Sequence, residues 1–190
     1  PDLDRMRGFL ADFGLISIDE APGHIFARGH GTAPFLHATE HGAPGFVALG
    51  LQAASLTDLE TLAAAENVAM EDAKFPGGGK LVRLTDPDGH TIEVIAGQTP
   101  SDPIPTALLP KINSAEARPR VRATVRAHQG AAQIQRLGHC VLNVSDFRAS
   151  EAWYKSRFGF LTSDEIEAAP GFAIGAFWSS FTPAFRATSS

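Results

Sequence analysis

Lys80-Leu81-Val82-Arg83-Leu84-Thr85-Asp86-Pro87-Asp88-Gly89-His90-Thr91-Ile92-Glu93-Val94-Ile95 decides how the rest of the chain is read. Two runs of alternating apolar and polar residues flank Asp-Pro-Asp-Gly. Proline presets the turn's φ, and Asp-Gly supplies the residue that tolerates φ > 0, so the stretch predicts a tight hairpin with one buried face. Upstream, Leu56 to Ala65 carries Leu56, Leu59 and Leu62 at helical spacing, with Ser55 placed to cap it. Phe46-Val47-Ala48-Leu49-Gly50-Leu51 reads as a buried strand, and Asn67 to Met70 opens another. Residues 44–97 are therefore expected to run strand, helix, then three strands.

The flanking segments repeat that order. In residues 1–43 a helix is predicted from Asp4 to Phe13, with Met6, Phe9, Leu10 and Phe13 on its buried face. Asp2 or Asp4 caps it and Gly14 stops it. Leu15–Ile18, His24–Arg28 and Pro34–Ala38 follow as strands. Gln98 to Gln135 holds five of the thirteen prolines and little periodicity, which predicts an extended linker. After it, Leu137 to Val144 reads as a strand, Ser145 or Asp146 as a cap, and the next helix runs to Phe158, where Gly159 ends it. Phe13-Gly14-Leu15-Ile16-Ser17 aligns with Phe158-Gly159-Phe160-Leu161-Thr162, and Phe9 with Tyr154. One unit leaves raw sheet edges, and pairing two units would bury them and close a cleft.

Composition narrows the function classes. Of the 190 residues 44% are hydrophobic and 19% charged, enough for a sizeable core. No apolar run is long enough to span a bilayer, and the opening residues lack a signal-peptide core, so no membrane partner is expected. Net charge is −5. The segment from Gln98 to Arg136 holds six basic and two acidic residues, a local excess that reads as a solvated linker. No aromatics interleave its arginines, so no nucleic-acid partner is expected. The single cysteine, Cys140, excludes an intramolecular disulfide and fits a reducing, cytoplasmic compartment. Phe75-Pro76-Gly77-Gly78-Gly79-Lys80 has no Ser or Thr after Lys and precedes a strand, so it reads as a flexible approach to the hairpin and not as a phosphate loop.

With these elements in place, the chain resembles the vicinal-oxygen-chelate superfamily, which includes glyoxalase I, bleomycin-resistance proteins and type I extradiol ring-cleavage dioxygenases. The hairpin Leu84 to Glu93 resembles that superfamily's closing hairpin. Leu137-Gly138-His139-Cys140-Val141-Leu142-Asn143-Val144-Ser145-Asp146, followed by Trp153-Tyr154 and Phe158-Gly159-Phe160, is similar to the start of the catalytic domain of the extradiol enzymes. The resemblance covers most of residues 2–97 and 136–177. It implies an α+β fold of paired βαβββ modules. Residues 1–97 would be an N-terminal pair lacking its first strand, 98–135 a linker, and 136–190 an incomplete first module of the catalytic domain.

The function implied is iron-dependent meta-cleavage of a catechol-type aromatic diol by dioxygen, in a protein that is commonly a homo-oligomer. The family holds Fe(II) with two histidines and one glutamate, a facial triad that leaves open positions. His139 occupies the first ligand position. The other two ligands fall beyond Ser190, so this stretch is expected to be inactive by itself. The resemblance also puts Val141 and Phe177 in the substrate pocket. Glu93 falls where the superfamily places a metal carboxylate, but its partner position is Phe46, which cannot ligate. His24, His30, His37 and His41 show no ligand spacing, and His90 is expected to be exposed after its turn. The N-terminal pair therefore reads as structural. On a strand Cys140 points away from His139. The alternative function is a non-catalytic small-molecule-binding module of the glyoxalase and bleomycin-resistance type, which needs no metal triad.

Overall fold

A computed structural model describes residues 2–19, 22–106 and 131–179. The body of the expected linker, 107–130, lies outside the described residues. The chain divides into two compact units, Pro1–Ala43 with Pro100–Gly138, and Pro44–Thr99 with His139–Ser190. Among the described residues no helix is long and apolar enough to cross a membrane.

The first unit is one helix and a three-stranded antiparallel sheet. Helix α1 (Leu3–Phe13) starts where the Asp2 carboxylate accepts from the amides of Asp4 and Arg5, at 3.0 and 3.1 Å. It stops at Gly14, whose φ of 104° only glycine adopts freely. Strands β1 (Ile16–Asp19), β2 (His24–Arg28) and β3 (His37–Glu40) follow in spatial order β1-β2-β3. The core is Leu10, Leu15, Ile25 and Ala27, with Leu3, Met6, Leu36 and Ile134 packed against it. The expected buried face of α1 needs correction. Phe9 and Phe13 are 60% and 55% exposed and stack on each other instead. Leu3, Met6 and Leu10 already fill the stripe that faces the sheet, and Phe9 and Phe13, one turn apart, lie beside it. Residues 100–106 and 131–135 of the expected linker belong to this unit. The His30 amide donates to the Ile134 carbonyl and the Ile104 amide to the His30 carbonyl, at 2.6 and 2.9 Å.

The second unit holds one complete βαβββ module. Strand β4 (Leu49–Gln52) leads into α2 (Leu56–Glu66), then β5 (Glu71–Asp72), β6 (Lys80–Thr85) and β7 (Thr91–Ala96). The spatial order is β4-β7-β6-β5, with β4 parallel to β7 and the other pairs antiparallel. Val82, Leu84, Ile92, Val94 and Ala96 join Leu59, Leu62 and Ala63 of α2 in the core. Ser55 caps α2 as the sequence predicts, but Leu56 is 45% exposed. The strand predicted from Phe46 begins only at Leu49, and Phe46 and Val47 are exposed. Leu49 pairs with Ile92 and β7 itself starts at Thr91, so residues further upstream have no ladder to join.

Helix α3 (Phe147–Phe158), capped by Asp146 and ended by Gly159, adds Tyr154 and Phe158 to that same core. Strands β8 (Leu161–Ala169) and β9 (Phe172–Ser179) form an antiparallel two-stranded ribbon after it. The order α1-β1-β2-β3, β4-α2-β5-β6-β7, α3-β8-β9 is the repeat read from the sequence, and the architecture is α+β built on βαβββ modules.

The hairpin turn docks α3. Asp86 is 4% exposed. Its Oδ1 accepts from the amides of Asp88 and His90 at 3.0 and 2.8 Å. Its Oδ2 accepts from the Tyr154 hydroxyl at 2.8 Å and lies 3.0 Å from His90 Nδ1. Burial would raise the Asp86 pKa, but the hydrogen bonds from His90 and Tyr154 outweigh it and hold the carboxyl below its usual range. Burial, and then the Asp86 carboxylate, push Tyr154 up. Asp88 accepts from the Ser145 amide at 2.8 Å and the Ser150 hydroxyl at 3.2 Å.

Tyr154→Phe removes one donor from a buried carboxylate and is expected to cost about 1.5–3 kcal/mol, read as a lower urea midpoint by Trp153 fluorescence. A carboxyl whose pKa is lowered by folding stabilises fully above the ordinary carboxylate pKa and loses that contribution as pH falls through its lowered value. Tyr154→Phe therefore also moves the acid-unfolding transition to higher pH. In the first unit, Leu10→Ala is expected to cost about 2–5 kcal/mol, and Phe9→Ala about 1 kcal/mol or less. Equal losses from the two would refute the assignment of α1's buried face.

Candidate functional site

The segment from Leu137 to Val144, expected as a strand, forms none, because no described residues run alongside it as a ladder. It is fastened at its far end, where Leu142 packs on the second unit's core and the Ser145 amide donates to Asp88. His139 is exposed on this irregular stretch, and Val141 is 85% exposed. Phe177 lies on β9 opposite Asp164, and its side chain is outside the described residues. Cys140 is exposed, and partial burial of its thiol pushes its pKa up, away from thiolate chemistry.

Glu93 has a different partner from a metal. Its carboxylate, 17% exposed, accepts from Arg83 Nε at 2.9 Å, and Arg83 also donates to Glu71 at 2.8 Å. The row Glu71, Arg83, Glu93 crosses β5, β6 and β7 on the sheet face opposite α2. Burial opposes the guanidinium's charge, but the two carboxylates outweigh it and raise its pKa. Phe46 makes an edge contact with His90, ring centroids 5.9 Å apart.

Three of the other histidines have local side-chain neighbours. His24 is 3.3 Å from the Pro22 carbonyl and 3.7 Å from Glu40. His37 pairs with the Thr39 hydroxyl at 2.7 Å, and burial lowers its pKa. His90, expected to be exposed, is half-buried and braced by Asp86.

Among the described residues no group of three His, Cys, Asp or Glu side chains could hold a metal ion. Ferrous iron in a facial triad needs two imidazoles and a carboxylate at one point, and the described residues offer His139 alone. The described residues do not by themselves complete such a triad. What they do build is a docked helix. Sequence reading took Asp86 and Asp88 as turn formers and missed that both carboxylates also hold α3. The available signal was the pair of acids at the first and third turn positions, each able to accept from beyond its own turn.

No protein-family model matches the chain, and no curated protein matches it. Among solved structures it is similar to the Mn(II)-bound glyoxalase from Novosphingobium aromaticivorans, with a TM-score of 0.50 and 25% identity over 56% of this chain and 38% of that one. It is also similar to catechol 2,3-dioxygenase, with a TM-score of 0.61 and 18% identity over 93% of this chain and 58% of that one. The chain thus spans less than two thirds of the length of either protein. Its own β4-α2-β5-β6-β7 module and these two likenesses together show that the chain has the fold of the vicinal-oxygen-chelate superfamily.

Proposed function

We propose that this chain is the leading part of an extradiol dioxygenase, an enzyme that opens a catechol-type diol beside its hydroxyls with dioxygen and ferrous iron. The observation that carries the reading is the order of its parts. In the described residues an αβββ arrangement, a βαβββ module and then α3-β8-β9 follow one another, and the likeness to catechol 2,3-dioxygenase covers 93% of the chain. His139, just ahead of α3, is the donor this chain would contribute to iron. Val141 and Phe177 would line the pocket for the aromatic ring. One imidazole cannot hold iron in an open geometry, so the chain alone is expected to be inactive. A second reading, a module that binds a small molecule without turning it over, needs no such set of donors.

A chimera joining residues 1–179 to the remaining modules of catechol 2,3-dioxygenase separates the two. Loaded with ferrous iron under nitrogen and then given catechol and air, it is expected to form a yellow ring-opened product. His139→Ala in that chimera is expected to reduce iron content and rate by more than the roughly 10–100-fold that loss of a ligand's hydrogen-bond partner costs. A folded chimera whose iron content and rate are unchanged by His139→Ala would overturn the assignment. Saturable catechol binding without colour would support the binding-module reading.

A further inference from the structure

The first unit contains an open cavity of about 510 Å³ beside α1. Its walls are mostly apolar, with Ala11, Leu15, Ile16 and Ala132 among them, and Arg7 and His30 supply the charged and polar groups. The space is built by close backbone approach. Gly14 stands against the Ala132 carbonyl, where a Cβ would collide, and a Cβ at Gly29 would likewise crowd the Ile134 carbonyl. His30 is held by its main chain, pinned on one side by Ile134 and on the other by Ile104. Its Nδ1 is buried and has no hydrogen-bond partner among the described residues. A buried imidazole nitrogen left unmatched costs free energy, and a ligand oxygen placed there would recover it. Arg7, whose guanidinium pairs with Asp4 at 2.7 Å, adds positive potential at the same rim.

We infer that this cavity binds a small aromatic carboxylate, with the ring on the apolar wall of Ala11, Leu15, Ile16 and Ala132 and the carboxylate accepting from His30 Nδ1 beside Arg7. Apolar walls with one or two convergent polar groups are the usual composition of a ligand site. The charged acceptor is favoured over a neutral one because charge-assisted hydrogen bonds are about twice as strong. The site lies wholly in the first unit and shares no residue with the ring-cleavage proposal, so either can fail without the other.

The test is titration of the whole chain with benzoate and with benzyl alcohol, which keeps the ring and removes the charge, followed by calorimetry or ligand-observed NMR. Benzoate is expected to saturate with a Kd of about 1 mM or tighter, and benzyl alcohol to bind about tenfold more weakly. His30→Leu is expected to weaken benzoate about tenfold. Ala11 is exposed on α1, so Ala11→Phe can fill the cavity without disturbing the helix's buried face, and it should abolish binding. Arg7→Gln, also outside the core, should weaken benzoate and leave benzyl alcohol unchanged. The inference is overturned if benzoate fails to saturate by about 10 mM. Equal affinity for the two probes overturns it too, as does unchanged benzoate binding in folded His30→Leu and Ala11→Phe proteins.

Discussion

The second unit depends on a buried carboxylate. Asp86 sits at the start of a four-residue turn, almost wholly removed from water, and an anion in that position is tolerable only if its lone pairs are filled. Two turn amides satisfy one oxygen, and Tyr154 with His90 satisfies the other. Because Tyr154 is 68 residues further along the chain, the bond that stabilises the turn also positions a helix. Asp88 adds a second attachment at the same helix's N-terminus through Ser145 and Ser150. Phe158, Trp153 and Phe160 then complete the apolar side of the contact. Helix α3 is thereby fastened to the β6–β7 hairpin by polar bonds at one end and aromatic packing along its length.

The two positions that the sequence singles out for a metal have different surroundings. At Glu93 the carboxylate already has a cation. Arg83 spans Glu71 and Glu93 with a hydrogen bond to each, and a guanidinium so placed satisfies the acids without any ion from solvent. At His139 the difficulty is geometric. A facial triad needs three donors aimed at one point by rigid elements, and the imidazole stands exposed on an irregular stretch with no strand to aim it. Val141, two residues on, is also exposed.

Glycine has its clearest role in the first unit. Gly14 ends α1 with positive φ and at the same position admits the returning backbone at Ala132. The residues around that crossing carry both a hydrophobic core, at Leu10, Leu15 and Ile134, and an open cavity, at Ala11, Ile16 and His30. A larger side chain at the crossing would push the returning segment away and change both.

Local chemistry was enough to read the elements themselves. Ser55 as a cap, caps at Asp2 or Asp4 and at Ser145 or Asp146, Gly14 and Gly159 as stops, and Asp-Pro-Asp-Gly as a hairpin turn follow from short-range bonds that need no distant partner, and the structure selects Asp2 and Asp146. The repeat of those elements also made the α+β module order legible, and with it the superfamily fold. Tertiary structure decided whatever depends on a partner elsewhere. Phe9 and Phe13 match a helical stripe as well as Met6 and Leu10 do, and only the sheet beneath α1 selects which of them is covered. Phe46 and the segment around His139 have strand-like composition, yet a strand exists only where another chain segment offers amides and carbonyls in register. Tyr154 reads as one more aromatic on a helix until the fold carries it to Asp86, because the cost of burying a charge is set by what surrounds it in space.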